Sequence, residues 1–215
     1  MNGAREIDLA TWSRSGQFKL FRTYDRPHFA TTARVDVTAL MTKGKPAGVS
    51  PYRAFIHAIG TGIHAVPALK MRFTGNSVVE YDGISLSATV PRPGDTFGYC
   101  YISYYPDWSR FDESCKAAID ETAKGTDLGA NTGQRFDVAY LSCLPWLDFT
   151  ALDNALPGPE DCIPRFSWGK FMEAADGRWS CAVAVQVHHA LVDGLQVGQF
   201  FEAAQICLNR FADDA

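Results

Sequence analysis

The 215-residue chain has no Gly-x-Gly-x-x-Gly and no glycine-rich loop ending in Lys-Ser or Lys-Thr, so nucleotide hydrolysis and dinucleotide redox chemistry lack support. It also lacks clustered positive charge. Twenty Lys and Arg against 24 Asp and Glu give a net charge of −4, and the one basic group, Lys43-Gly44-Lys45, reads as a solvated turn, which argues against a nucleic-acid surface. No apolar run approaches the length of a membrane helix, and Met1-Asn2-Gly3-Ala4-Arg5-Glu6 has no apolar core, so no membrane partner and no signal peptide are expected and the location read is cytoplasmic. Six cysteines are spread without any Cys-x-x-Cys pair, which excludes a zinc knuckle or compact disulfide framework; they are expected to stay reduced, several of them buried. No metal is expected.

With 47% hydrophobic and 20% charged residues, the chain is apolar enough for a packed core, and a single domain over 1–215 is expected. Apolar residues recur with helical period from Pro51 to Val66, where Gly60 and Gly62 would allow close packing, from Ser109 to Ala123, and from about Leu195 to Arg210. Strands are expected around Val35–Val37, Ser77–Tyr81, Ile84–Val90, Phe97–Tyr104, Asp137–Ser142 and Trp179–Val187. Asp82-Gly83 reads as a hairpin turn between the second and third of these. The fold class is α/β (α+β): a two-layer sandwich of a largely antiparallel mixed sheet with helices packed on it.

Val187-His188-His189-Ala190-Leu191-Val192-Asp193-Gly194 stands between the last strand and the last helix, with Gly194 suited to a sharp exit from the turn. A neutral imidazole at the end of a rigid strand is suited to taking a proton near neutral pH. Alternation along the strand places the two rings on opposite faces, so one histidine at most serves as base. His57 and His64 read as structural, and His28 as a loop residue without an evident partner. Read alone, Ser142 is a turn residue at a strand end and Arg14 an exposed charge beside Trp12.

His-His-x-x-x-Asp-Gly resembles the signature of the coenzyme A-dependent acyltransferases, and the chain resembles their trimeric chloramphenicol acetyltransferase branch nearly throughout. Thr11-Trp12-Ser13-Arg14, Ala54-Phe55-Ile56-His57, Pro67 to Arg72, Asp95-Thr96-Phe97, Leu141 to Trp146 and Ser167-Trp168-Gly169-Lys170 occur in matching order. The resemblance implies direct acetyl transfer from acetyl-CoA to an acceptor hydroxyl, with His189 as general base, Ser142 as the oxyanion donor, and Ser167 holding a water beside the same intermediate. It implies that Asp193 pairs with Arg14 to hold the turn, that Trp146, Lys170 and Phe171 contact coenzyme A, and that three copies form their active sites between neighbours. The implied acceptor is chloramphenicol.

The implied acceptor pocket departs from that pattern. Across Phe21 to Phe29, Phe21 stands where chloramphenicol-binding relatives have tyrosine, Asp25 where they have leucine and Pro27 where they have cysteine, while Phe29 and, in mid-chain, Phe97 are retained. A carboxylate against an apolar ring is costly unless partnered. The alternatives are another small hydroxyl or amine acceptor with the same mechanism, and a non-catalytic binding protein of the same fold.

Overall fold

The computed structural model describes residues 3–212. Nine strands and four longer helices follow in chain order: β1 (Ala4–Glu6), α1 (Ser15–Phe21), β2 (His28–Asp36), α2 (Pro51–Ala65), β3 (Met71–Thr74), β4 (Ser77–Tyr81), β5 (Ser85–Arg92), β6 (Thr96–Ile102), α3 (Trp108–Lys124), β7 (Val138–Cys143), β8 (Arg165–Glu173), β9 (Trp179–His188) and α4 (Gly194–Asn209). Six strands form the main sheet in the order β2-β9-β8-β7-β5-β6, and β1-β4-β3 form a small second sheet. The β5–β7 and β7–β8 pairs are parallel and the other three pairs of the main sheet antiparallel.

The pleat of the main sheet divides its residues into two faces. Leu86, Leu141, Phe166, Val185 and Val187 point into the core beneath the helices. There Phe166 meets Phe200 of α4 at 4.8 Å between ring centres, and Trp168 meets Phe55 of α2 at 5.4 Å. Burying a side chain of Phe size is worth about 1.5–3 kcal/mol each, so this layer holds the helices down. α2 begins with Ser50 as its cap and Pro51 in its first turn. It crosses α4 closely at Gly62, where a Cβ would lie 2.6 Å from the Phe200 ring.

Three sequence expectations change. Asp82-Gly83 does not close a hairpin; β4 pairs with β3 through Gly75-Asn76, Thr74 facing Ser77, and Asp82-Gly83 carries the chain from the small sheet to the main one. Gly75 takes the positive φ, +55°, that a two-residue hairpin loop demands. His28 opens β2 opposite His188 rather than lying in a loop. The turn at Lys43-Gly44-Lys45 is helical in its first part, since Leu40–Gly44 is a helical turn with Leu40 and Gly44 buried, while Lys43 and Lys45 are exposed and a turn follows over 45–48.

Candidate functional site

β9 delivers the histidine pair, and the two rings take different surroundings. His188 is 2% exposed. Its Nε2–H donates to the Pro159 carbonyl at 3.0 Å and its Nδ1 accepts from the Ala190 amide at 3.1 Å, so both nitrogens are spent on shaping the turn. Burial, then the neighbouring His28, pushes its pKa down to about 4, and the ring stays neutral at pH 7. His57 and His64 are structural too: His57 bonds the Tyr105 carbonyl, and His64 donates to the Gly60 carbonyl while accepting from the Ile84 amide.

His189 is only partly buried, and its ring lies parallel to Phe21 at 3.8 Å and tilted against Phe29 at 4.7 Å. Its Nδ1 is 3.1 Å from the Val192 carbonyl. A carbonyl can only accept, so Nδ1 carries the proton and, in the neutral ring, Nε2 holds a free lone pair. The backbone clamps the residue from two sides: the His189 amide donates to the Pro27 carbonyl, and the Leu191 and Val192 amides turn back to the His188 carbonyl.

Asp193 caps α4. Its carboxylate accepts from the Leu195 amide, and Gln196 answers by accepting from the Asp193 amide. The other carboxylate oxygen pairs with Arg14 Nη1 at 2.5 Å. Burial pushes this carboxyl up, but Arg14, the Leu195 amide and His189 outweigh it and hold the pKa below the usual value. Gly194, expected to permit a sharp exit, needs no special conformation: it is the first residue of α4, its φ is not positive, and nothing lies within 4 Å of the place a Cβ would take.

On the other face of the main sheet lies a cavity of about 1270 Å³. Pairing aligns Ser142 of β7 with Ser167 of β8, so two hydroxyls stand side by side on its floor. Ser142 is partly buried and Ser167 is 1% exposed. Trp146, Lys170, Phe171 and Phe97 also line it, with Trp146 79% and Phe97 42% exposed. The loop after β7 is pinned to a bulge in β8: Leu144 donates to the Trp168 carbonyl and Lys170 to the Leu147 carbonyl.

The expected residues therefore fall into two groups. His189, Arg14, Asp193, Phe21 and Phe29 come together at the histidine turn, with Asp25 exposed nearby in sequence; Ser142, Ser167, Trp146, Lys170, Phe171 and Phe97 come together in the cavity, whose lining includes none of the first group. Ser142 is level with Ser167 and Ala184, five residues before His189 and two strands away, so the separation within one chain is roughly 16 Å along and about 10 Å across, on the order of 19 Å. Two elements of the cavity lack a simple signal in the sequence: β8 breaks the alternation of a strand, and the connection from Leu144 to Pro164, where Pro157-Gly158-Pro159 marks a loop, supplies a wall through Asn154, Ala155 and Pro157. Gln186, the one polar residue in the run Cys181–Val187, was the visible signal that this loop packs on β9.

The family profile described as chloramphenicol acetyltransferase matches residues 1–205. This chain belongs to the chloramphenicol acetyltransferase family. Chloramphenicol acetyltransferase 2 of Escherichia coli is 31% identical over 208 residues, covering 96% of this chain and 97% of that protein. The chloramphenicol acetyltransferase of Clostridium perfringens is 27% identical over 93% of this chain and 92% of its own length. A solved chloramphenicol acetyltransferase shares the fold with a TM-score of 0.89 at 22% identity, over 96% of this chain and all of that one. A probable dihydrolipoamide acetyltransferase from Listeria monocytogenes shares it at 0.63 and 16% identity, over 97% of this chain and 94% of that one. Chloramphenicol acetyltransferases are acetyl-CoA-dependent acetyltransferases, and this member is an acyltransferase enzyme. Among the described residues, no cluster of His, Cys, Asp and Glu is arranged to hold a metal ion, and no helix is long and apolar enough to cross a membrane.

Proposed function

We propose that the enzyme transfers the acetyl group of acetyl-CoA to a hydroxyl of chloramphenicol in the cytoplasm, as a homotrimer in which His189 of one subunit acts in the cavity of the next. The observation that carries this reading is the separation of His189 and Ser142: roughly 19 Å within one chain is far beyond the ~3 Å at which a base takes a proton. A second copy that sets its histidine turn against the cavity mouth completes the constellation. The exposed Trp146 and Phe97 at that mouth, and the aromatic rings around His189, suit such a contact.

In this reading Nε2 of His189 takes the proton of the acceptor hydroxyl, whose oxygen attacks the thioester carbonyl carbon. The oxyanion receives a hydrogen bond from Ser142, with the Ser167 hydroxyl beside it. The carbon–sulfur bond then breaks, and the leaving thiolate takes the proton back from Nε2. Asp193 and Arg14 hold the turn in place, while Trp146, Lys170 and Phe171 line the coenzyme A end of the cavity. A second acceptor class, compounds carrying a donor or positive charge, is favoured by Asp25, which is exposed and in no ion pair among the described residues.

Thiol release from acetyl-CoA with and without chloramphenicol tests the activity, and mixed subunits test the shared site. His189→Ala is expected to lose at least 10²–10⁴-fold in turnover and Ser142→Ala about 10²-fold. Chains carrying one or the other substitution, unfolded and refolded together, should regain activity, because some sites then draw both intact residues from different subunits. Absence of any recovery in a mixed, folded trimer sinks the shared site; absence of chloramphenicol-dependent thiol release moves the acceptor to the second class.

A further inference from the structure

Gln186 sits in β9 within a run, Cys181–Val187, otherwise built of Cys, Ala and Val, and is 3% exposed. Both ends of its side-chain amide are used. Oε1 accepts from the Asn154 backbone amide at 2.9 Å, and Nε2 donates to the Asp153 carboxylate. Asp153 and Asn154 belong to the long connection between β7 and β8, whose residues Asn154, Ala155 and Pro157 form one wall of the cavity. That connection has no strand or helix of its own over Leu144–Pro164, so side-chain bonds such as these fix where it lies.

We propose that Gln186 is a positioning residue, tying the Asp153–Asn154 wall to the strand that ends in the histidine pair and so setting the shape of the acceptor end of the cavity. This rests on the acetyl-transfer reading for the division of the cavity. Along β8, Lys170 and Phe171 mark the coenzyme A end, Ser167 the reacting centre, and Arg165, paired with Gln186 across the sheet, the opposite end. The end held by Gln186 is therefore the acceptor's. Gln186 touches no reacting atom; its effect falls on ground-state fit, which moves KM more than kcat.

The test combines steady-state kinetics with amide hydrogen exchange on the intact enzyme. Gln186→Leu keeps the volume and removes both bonds; Asp153→Ala removes one at an exposed position that tolerates truncation; Asp153→Asn keeps an oxygen acceptor for Nε2. Loss of both bonds is expected to raise KM for chloramphenicol about tenfold, loss of one severalfold, with kcat and KM for acetyl-CoA changed less than about threefold. Asp153→Asn should behave as wild type, and Gln186→Leu with Asp153→Ala should be no worse than Gln186→Leu alone. The Asn154 amide should exchange faster in Gln186→Leu. A fall in kcat without change in KM, or an Asp153→Asn variant as impaired as Asp153→Ala, overturns the proposal. Should wild type fail to acetylate chloramphenicol, the acceptor assignment fails, and exchange at Asn154 still decides the clamp: unchanged protection in Gln186→Leu overturns it.

Discussion

At the histidine turn, eight consecutive residues from Val187 to Gly194 contain the proposed base, the shaping histidine and the helix cap; short-range bonds set its shape, His188 to Ala190, His189 to Val192, Asp193 to Leu195 and Gln196, and Pro27, Pro159 and Arg14 anchor it from outside. The cavity is built the other way. Its two serines come from neighbouring strands, its aromatic mouth from a loop and a third strand, and its far wall from the connection fastened by Gln186. The local shape of the turn and the tautomer of His189 are set by residues close together in the chain, while the shape of the cavity depends on contacts distant in it. Substitutions should therefore act on stability and chemistry together at the turn, and on ligand fit at the cavity.

The strongest way to break that contrast is at Asp193. Asp193→Ala removes the cap of α4 and leaves Arg14, whose side chain is 15% exposed and whose Nε and Nη2 have no partner among the described residues, without the one ion pair it makes among them. The expected loss is about 3 kcal/mol, from the cap and the stranded charge together. Arg14→Ala should cost less, since the cap survives, and the double variant less than the sum. Urea unfolding of the four proteins gives the values; additive losses would show that the pair does not act as a unit.

The same difference explains what could be read beforehand. The histidine pair, Asp193 and α4 were legible because period, cap and spacing are local in sequence. β8 was hidden because Pro164, the bulge around Gly169 and the mixture of Arg, Ser and Lys with Phe and Trp break simple alternation. The hairpin was misplaced because Asp-Gly is a turn signal without a direction: Gly75-Asn76 carries the same chemistry, and the sheet chose it. Why Ser142 and Ser167 share a floor follows only from β7 pairing with β8, a fact of topology.

A smaller effect separates the two histidines. His188 is held neutral, with its pKa lowered from 6.5 to about 4, whereas the unfolded chain binds that proton near pH 6.5. Between these values the unfolded state carries more protons, so stability rises with pH: the contribution is complete above about 6.5 and is lost as pH falls toward 4, amounting to about 2 kcal/mol at pH 5. Burial lowers the pKa of His57 and His64 as well, and they slope the same way. The measurement is therefore the difference between wild type and His188→Gln in unfolding free energy at pH 7.5 and pH 5. The variant should show the shallower decline, and equal declines would mean that His188 is not held neutral by the fold.

Two glycines sharpen the comparison at its finest scale. At Gly169, in the β8 bulge beneath the cavity mouth, a Cβ would lie 2.5 Å from the Leu147 carbonyl oxygen and 3.2 Å from the Phe149 ring. That oxygen is held by the Lys170 amide, so it cannot withdraw without moving the loop that carries Trp146. Gly169→Ala should cost about 1 kcal/mol by overpacking and raise KM for acetyl-CoA. At Gly194, beside the histidine turn itself, a Cβ meets nothing within 4 Å and φ is not positive, so Gly194→Ala should stay within about 1 kcal/mol of wild type, on the stabilising side, through alanine's better helix propensity. Thermal unfolding and acetyl-CoA kinetics on the two variants decide the matter. If Gly194→Ala proves the more damaging, the space beside the turn is occupied in the working enzyme by a neighbouring subunit or by substrate, and the turn is less self-contained than its own bonds suggest.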